Sequence, residues 1–188
     1  AGRTCYQSLD QQGRDPVGFV GRLIARGHES VLEHHNVTFD IVTSRDIAME
    51  LDRHRHAAYS EESTRYVKYQ GNVKIIRPVW CSEHILGVWS MVPMIRDGMS
   101  DDEIYFIMSN CRAVKDYRAL MSMGWKAQQA RSVLPHALRT EMVMTANLRE
   151  WQHIITLRCQ GAAHPRISDW VRGILKHIYK RFPPLFAD

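Results

Sequence analysis

The chain has 188 residues, 45% of them hydrophobic and 24% charged, so its composition excludes a collagen-like or generally disordered protein. Lys and Arg number 25 against 20 Asp and Glu, and the net charge of +5 favours anionic ligands such as nucleotides, phosphates or nucleic acid. Its four cysteines form no CxxC pair, and no apolar run approaches the ~18 residues of a membrane span. We therefore expect reduced thiols, no membrane segment and a cytoplasmic location.

The first part of the chain predicts two helices around one strand. Asp15 and Pro16 are typical of an N-cap and a first helical residue. Residues 36–43 alternate apolar and polar side chains, which predicts a half-buried strand. The predicted elements are a helix from Pro16 to about Gly27, a strand at 36–43, a helix from Ser44 to about Arg55, and a loop at 56–71.

The rest of the chain is mainly helical in its pattern. The predicted elements are a strand at 73–79, helices at about 82–96 and 100–123, a helical stretch at 126–134, a β-prone run at 138–145, and helices at about 147–158 and 167–181. We therefore predict an α+β fold, a small and mostly antiparallel sheet packed with long helices, in a single domain over residues 1–188.

The densest polar stretch begins at Arg53. Arg53 and Arg55 are two positions apart, so on a helix they would point about 200° away from each other and suit two different anions. In the following loop, Ser63 and Arg65 could hold a phosphate by hydroxyl, backbone N–H and guanidinium. From spacing alone, a solvated basic face at the end of a helix is the favoured interpretation.

This stretch resembles the signature of flavin-dependent thymidylate synthases. The family pattern RHR-x7-S is matched by Arg53-His54-Arg55 and Ser63, and its longer form RHRxxSxNExSxRY by RHRHAAYSEESTRY. Segments similar to the family's RGHxSxxEH, ARxxLP, NxR and LR elements follow the family order, at residues 26–34, 130–135, 147–149 and 157–158. The chain is identified as a member of this family on a resemblance that covers nearly its whole length.

The resemblance implies a methyltransferase of nucleotide biosynthesis that converts dUMP to dTMP. It implies FAD as cofactor, methylenetetrahydrofolate as carbon donor, NADPH as reductant and no metal. The chain has no GxGxxG or P-loop, so its composition and motifs alone indicate neither methylenetetrahydrofolate nor NADPH. The resemblance also implies a homotetramer with sites between subunits, in which Arg131 reaches a neighbour's nucleotide and a monomer is inactive. A β-strand that precedes the Cys5-Tyr6 pair in the family is expected to be missing here.

The resemblance also assigns ligands to individual residues. The implied FAD contacts are Ser30, Arg53, His54, Arg55, Glu61, Asn147, Arg149 and His153. The implied dUMP contacts are Glu50, Arg53, Glu61, Ser63, Thr64, Arg65, Arg131 and Arg158. Asn147 also caps a predicted helix, whose N terminus attracts anions, and a capping role alone fits the sequence equally well. Ser63 is expected to be a ligand rather than a nucleophile, because no base is placed to activate it.

Arg158 is the implied catalytic residue. Methylation of uracil at C5 requires electron density at that carbon, which means that the ring anion must be favoured. A guanidinium against the N3–O2 edge stabilises this anion without transferring a proton itself. Without the resemblance, Arg158 would be interpreted as a cation at a helix C terminus, where the helix dipole favours it.

Departures from the family pattern cluster near the predicted site. They are Glu50, Leu51, Asp52, Ser60, His164 and Arg166. Two of them place carboxylates beside Arg53, and one reverses a charge after Arg158. A divergent, phage-type member that forms a different product at C5 is therefore an alternative hypothesis.

Three further hypotheses belong to other classes. A metal site would use the acidic and imidazole side chains at 28–35, which contain no HExxH motif. A cysteine-nucleophile methylase would use Cys159, and full turnover by Cys159→Ala would exclude it. A basic nucleic-acid-binding protein would bind DNA with a steep salt dependence and carry no chromophore. We do not favour it, since no finger, zipper or RNP-like pattern is present.

Overall fold

The computed structural model describes residues 1–71, 73–81, 88–89, 98–161 and 163–182. The helices are α1 (Gly2–Cys5), α2 (Pro16–Ala25), α3 (Arg45–Leu51), α4 (Asp101–Ser122), α5 (Ala127–Ala130), α6 (Leu148–Arg158) and α7 (Pro165–Arg181). The strands are β1 (Asn36–Ser44), β2 (Ala57–Glu61), β3 (Ile75–Ile76), β4 (Val88–Trp89) and β5 (Arg139–Asn147). Three 3-10 helices cover Leu9–Gln11, Glu29–His34 and Arg131–Val133. No described helix is both long and apolar enough to cross a bilayer.

Most predicted elements are present close to their expected bounds. The Asp15 side chain caps α2 by accepting from the Gly18 N–H at 3.0 Å. Strand β1 alternates as predicted, and α4, β5, α6 and α7 correspond to the expected elements. The stretch 126–134 is a short α-helix followed by a 3-10 turn.

Two predictions around the RHR segment were wrong. The helix expected to reach Arg55 ends at Leu51, whose carbonyl accepts a 2.7 Å hydrogen bond from the Tyr59 hydroxyl. The residues expected to form a loop contain strand β2, which pairs with β5, a partner distant in sequence. The opposed-arginine argument therefore fails, because Arg53 and Arg55 lie in the turn between α3 and β2.

The remaining difference concerns the chain between β3 and α4. The strand predicted at 73–79 contains only the two residues of β3, which pair antiparallel with β4. The helix predicted at 82–96 lies largely outside the described residues. Its two described residues, Val88 and Trp89, form β4.

The main sheet confirms the α+β class. It has three antiparallel strands in the order β1-β5-β2, so the central strand comes last in the sequence. The chain divides into two compact units, and all three strands contribute residues to each. Unit 1 contains residues 1–39, 54–58 and 145–188, and unit 2 contains residues 40–53 and 59–144.

The core of unit 1 is built on α6 and α7. Trp151 of α6 is fully buried, packs edge-on against Phe39 with ring centroids 5.1 Å apart, and donates its indole N–H to the Val37 carbonyl at 3.1 Å. Apolar side chains of α7 at helical spacing are also buried: Ile167, Val171, Ile174 and Ile178. Leu32 and Leu148 form a further buried cluster. This packing fixes α6, which carries three predicted site residues, Arg149, His153 and Arg158, and is capped by a fourth, Asn147.

The core of unit 2 packs around α4. Val114 is fully buried and contacts Val73 and Leu138, with Tyr69 and Leu134 at the edge of the same cluster. The start of α4 is closed by a capping box between Ser100 and Glu103. These contacts hold the segment that follows β2 against the body of the unit.

Candidate active site

The buried centre of the RHR motif is His54, which is only 4% exposed. Its Nε2 is 3.0 Å from the Nε of Arg158, and its Nδ1 is 3.7 Å from an oxygen of Glu150. An arginine N–H only donates, so Nε2 must accept and the ring proton is assigned to Nδ1, facing the carboxylate. The imidazole thus connects a buried carboxylate to the predicted catalytic guanidinium.

A second imidazole accompanies this cluster. The ring of His153 lies 6.1 Å from that of His54 at an interplanar angle of 75°. Both His153 and Arg55 are exposed, while the buried His54 anchors the motif between them. The carbonyl of Arg158 accepts a 2.7 Å hydrogen bond from the Ser168 hydroxyl, which ties the end of α6 to α7.

The N terminus of α6 holds the NxR element. Asn147 is the N-cap, and its side-chain oxygen accepts from the Glu150 N–H at 2.9 Å, as predicted. Arg149 pairs with Glu33 through Nη1 and with Glu29 through Nε. The hydrogen bond to Glu33 raises the pKa of Arg149 further, so this guanidinium stays charged. Its Nη2 takes part in neither ion pair.

The loop after β2 gathers several predicted dUMP ligands in unit 2. The Ser63 hydroxyl accepts from the Arg65 N–H at 3.3 Å, a local turn that orders the loop. Thr64 is buried, and its hydroxyl accepts from Nη1 of Arg131 at 3.2 Å. Within one chain the structure therefore pairs the Thr64 hydroxyl with the Arg131 guanidinium and the Ser63 hydroxyl with the Arg65 N–H, groups of the kinds that bind phosphate.

Glu61 is engaged by residues that the sequence did not identify. Its carboxylate accepts from the Thr140 hydroxyl at 2.9 Å and pairs with Arg45 at 3.3 Å. Arg45 also donates to the Glu62 carbonyl at 3.2 Å. Burial raises the pKa of Asp52, and Arg45 opposes that shift. The missed contacts depend on the pairing of β2 with β5, and no local spacing could have revealed them.

The predicted residues divide between the two units. Unit 1 contains Ser30, His54, Arg55, Asn147, Arg149, His153 and Arg158. Unit 2 contains Glu50, Arg53, Glu61, Ser63, Thr64, Arg65 and Arg131. Arg53 and Glu61 were predicted to contact both ligands, and they lie in unit 2 with most of the dUMP residues. Arg158 was predicted to contact dUMP, but it lies in unit 1 with most of the FAD residues.

The residues of the metal hypothesis have other contacts. Glu29 and Glu33 bind Arg149, and the Nδ1 of His28 is 2.6 Å from the Tyr6 hydroxyl. Within the described residues, no group of three or more His, Cys, Asp or Glu side chains is arranged to hold a metal ion. All four cysteines are thiols rather than disulfides.

Fold and site together define an α+β protein with two concentrations of cationic and hydroxyl donors. A family model described as thymidylate synthase complementing protein matches residues 1–184, and the chain belongs to that family. It is 30% identical to a probable flavin-dependent thymidylate synthase of Mycobacterium phage D29, over all of this chain and 80% of the phage protein. It is 32% identical to flavin-dependent thymidylate synthases of Geobacter sulfurreducens and Mycolicibacterium vanbaalenii, over the whole chain and 78% and 76% of theirs. The resemblance found in the motifs is confirmed.

Proposed function

We propose that this chain is a flavin-dependent thymidylate synthase, a methyltransferase that converts dUMP to dTMP. Methylenetetrahydrofolate donates the carbon, and NADPH supplies the reducing equivalents. The observation that carries the proposal is the family match over residues 1–184, joined by relatives of that name aligned along the whole chain. The motif residues support it, because they supply the cationic and hydroxyl donors that a nucleotide and a dinucleotide cofactor require.

The donors of unit 1 fit FAD. Asn147 and Arg149 lie at the N terminus of α6, which favours an anionic pyrophosphate, and Nη2 of Arg149 is outside its two ion pairs. Exposed Ser30, Arg55 and His153 supply further hydroxyl, guanidinium and imidazole donors. When bound, the flavin supplies the redox and carbon-transfer chemistry that side chains lack.

The nucleotide phosphate is assigned to the loop after β2. Ser63, Thr64 and Arg65 offer hydroxyl, backbone and guanidinium donors, and Arg131 already contacts Thr64. Glu61 is held by Arg45 and Thr140, so its carboxylate is fixed before a ligand arrives. Glu50 and Arg53, at the end of α3 and in the following turn, complete the proposed dUMP set.

Arg158 stabilises the uracil anion in this proposal. Its Nε donates to His54, and this contact limits rotation of the guanidinium. A fixed positive charge is effective where charge develops on the uracil ring, because it needs no reorganisation during the reaction.

The assembly proposed for the enzyme is a homotetramer with sites between subunits. In that assembly Arg131 acts on a neighbour's nucleotide, and a monomer has no complete site. We also propose that residues 1–188 act as one domain, since the family match is continuous and all three main strands belong to both compact units. A cytoplasmic location stays a prediction.

The visible absorption spectrum of the purified protein tests the proposal first. Flavin bands that change on addition of dUMP, followed by dTMP formation with methylenetetrahydrofolate and NADPH, are the expected results. Chromatographic identification of the product separates dTMP from another C5-modified nucleotide. A protein that takes up no FAD and binds DNA with steep salt dependence would contradict the proposal.

Arg158→Ala provides the matching site test. This variant should keep its flavin but lose most turnover, because the charge that stabilises the ring anion is gone. Arg172→Ala is the control, since Arg172 is an exposed arginine of α7 outside the proposed site. Normal turnover by Arg158→Ala would remove Arg158 from the mechanism.

A further inference from the structure

A cavity of unit 2 lies beyond the residues assigned to FAD and dUMP. Its volume is about 550 Å³, within the range of about 300–1,000 Å³ typical of small-molecule sites. Its walls come from the segment after Arg65 and from the connection between α4 and α5. Apart from Arg65, none of its lining residues belongs to either predicted ligand set.

Three cations line this cavity: Arg65, Lys68 and Lys126. All three are exposed, and among the described residues none of them forms a salt bridge. No carboxylate belongs to the part of the lining that the structure describes. Like charges gathered without a counter-charge repel one another, and an anion bound among them relieves that repulsion.

Two large aromatic side chains share the cavity with these cations. Tyr66 is 76% exposed and Trp125 is 45% exposed, so large apolar ring faces remain open to solvent in this cavity. The guanidinium of Arg65 lies over the Tyr66 ring, 5.5 Å from its centroid. Exposed rings beside cations favour a ligand that has a planar ring as well as negative charge.

The end of α4 fixes the position of Trp125. The Trp125 N–H bonds to the Leu120 carbonyl at 3.0 Å, and the Gly124 N–H bonds to the Met121 carbonyl at 3.1 Å. This pair of bonds is a Schellman motif, and it requires the left-handed conformation that Gly124 adopts at φ +96°. The backbone that carries Trp125 is therefore set before any ligand binds.

We propose that this cavity binds a small ligand in which an aromatic ring is joined to a chain of two or more negative charges. Two sources of that chemistry are relevant to the proposed function, on which this inference rests: the glutamate tail of a folate and the polyphosphate of a nucleotide. Arg65 places the cavity next to the proposed dUMP phosphate site. A pocket of this volume suits such a ligand better than a long nucleic acid strand, which would need an extended groove.

Calorimetric titration of the flavin-loaded protein in saturating dUMP tests the proposal. The probes are pteroyltriglutamate against pteroic acid, and deoxythymidine triphosphate against thymidine. The charged member of at least one pair should bind more tightly, and the pair that shows the difference identifies the source. Lys68→Glu with Lys126→Glu should weaken that binding about tenfold or more, and Trp125→Ala should also weaken it about tenfold.

The matched control reverses two exposed lysines of the same unit that do not line the cavity, Lys74→Glu with Lys115→Glu. It changes the net charge equally and should leave binding within about twofold of the wild type. Equal binding by wild type and the Lys68/Lys126 variant would overturn the proposal, as would binding of neither charged probe. Preference for a single-stranded oligonucleotide over both small probes would also overturn it.

The cavity and the proposed enzymatic function can fail separately. Flavin content and the dUMP-induced spectral change report the function, and neither should change in the Lys68/Lys126 variant. If the protein takes up no flavin, the same titrations without FAD still test the cavity.

Discussion

The contacts of Arg158, the proposed catalytic residue, distinguish it from an ordinary helix-end cation. Arg158 has the position of an ordinary surface cation at the C terminus of α6, but its Nε is bound to a buried imidazole. The carboxylate of Glu150, itself 7% exposed, faces the other nitrogen of that ring. We therefore expect Glu150 to act as a positioning residue, because its charge favours the His54 tautomer that accepts from Arg158.

Replacement of Glu150 by Gln tests this arrangement. The amide removes the charge that favours a proton on Nδ1 of His54, so the tautomer with its proton on Nε2 becomes more populated. In that tautomer Nε2 cannot accept the hydrogen bond from Arg158. We expect kcat to fall about tenfold, with flavin content near wild type. Glu150→Asp is the control that keeps the carboxylate and should recover part of the rate. A kcat that stays at the wild-type value in Glu150→Gln across the pH profile would contradict the positioning role.

Tyr69 gives a prediction about stability at alkaline pH. Its hydroxyl donates to Glu62, and burial together with this hydrogen bond raises the pKa of Tyr69 above its ordinary value. Above about pH 10 the tyrosine ionises in the unfolded chain but keeps its proton in the folded one. The unfolded state then binds fewer protons, so the free energy of unfolding falls as pH rises.

Tyr69→Phe isolates this contribution. Urea unfolding at about pH 8 and about pH 11 should show a smaller loss of stability in the variant than in the wild type. Tyr179→Phe is the control, because Tyr179 is an exposed tyrosine of α7. Equal losses in wild type and Tyr69→Phe would show that Tyr69 titrates normally.

Some residues of the candidate site could be predicted from the sequence motifs, and others could not. Motif spacing predicted donors at Arg53–Arg55 and Ser63–Arg65, and in the structure His54, Ser63 and Thr64 have hydrogen-bond partners. Motif spacing could not identify Glu150 or Arg45. Their contacts with His54 and Glu61 join residues that are distant in the sequence and depend on packing. Local patterns report chemistry, while burial and pairing decide which groups meet.

Among the elements, the caps of α2 and α6 were predictable, whereas the turn that carries Arg53–Arg55 was not. Asp15 and Asn147 cap their helices as expected, since a side-chain oxygen at an N-cap satisfies an N–H locally. Strand β2 lacks a clear apolar alternation, and its formation depends on β5, which begins only at Arg139. The carbonyl of Leu51, the last residue of α3, accepts from the Tyr59 hydroxyl of β2, a contact that the helical pattern did not predict.

Asn147 separates a structural role of α6 from a ligand role. Asn147→Ala should lower the free energy of unfolding by about 1 kcal/mol, because the Glu150 N–H loses its acceptor. Asn147→Ser should restore this cap. If the amide also contacts FAD, the Ser variant should match the wild type in stability without cofactor but bind FAD more weakly.

Denaturant unfolding of the cofactor-depleted protein and FAD titration together measure the two effects. Wild-type FAD affinity in Asn147→Ser would leave Asn147 as a cap alone. Unchanged stability in Asn147→Ala would contradict the capping energy itself.

For the whole molecule, the fold class followed from the pattern of elements, but the assembly cannot be derived from one chain. Arg131 is the residue whose role depends on the assembly. Its guanidinium contacts Thr64 of its own chain at 3.2 Å, whereas the resemblance assigns it to the nucleotide of a neighbouring subunit. The two assignments differ in whether one subunit can carry every residue of a functional site.

Mixing two inactive variants distinguishes them. If each site takes Arg131 from one subunit and Arg158 from another, refolding Arg131→Ala together with Arg158→Ala places both intact arginines at about a quarter of the sites, one half multiplied by one half. Activity should then return to about that fraction of the wild-type value. His54→Ala mixed with Arg158→Ala is the control pair, because these residues act on one another within a chain and no mixed site regains both.

Failure of the first pair to recover activity, when tagged subunits prove that mixed assemblies formed, would mean that Arg131 serves the nucleotide of its own chain. The contact with Thr64 would then be part of that site. The need for a tetramer would have to rest on some other residue. Recovery of activity in the first pair alone would mean that Arg131 acts on the nucleotide of a neighbouring subunit. The contact with Thr64 would then hold the guanidinium in position before that nucleotide binds.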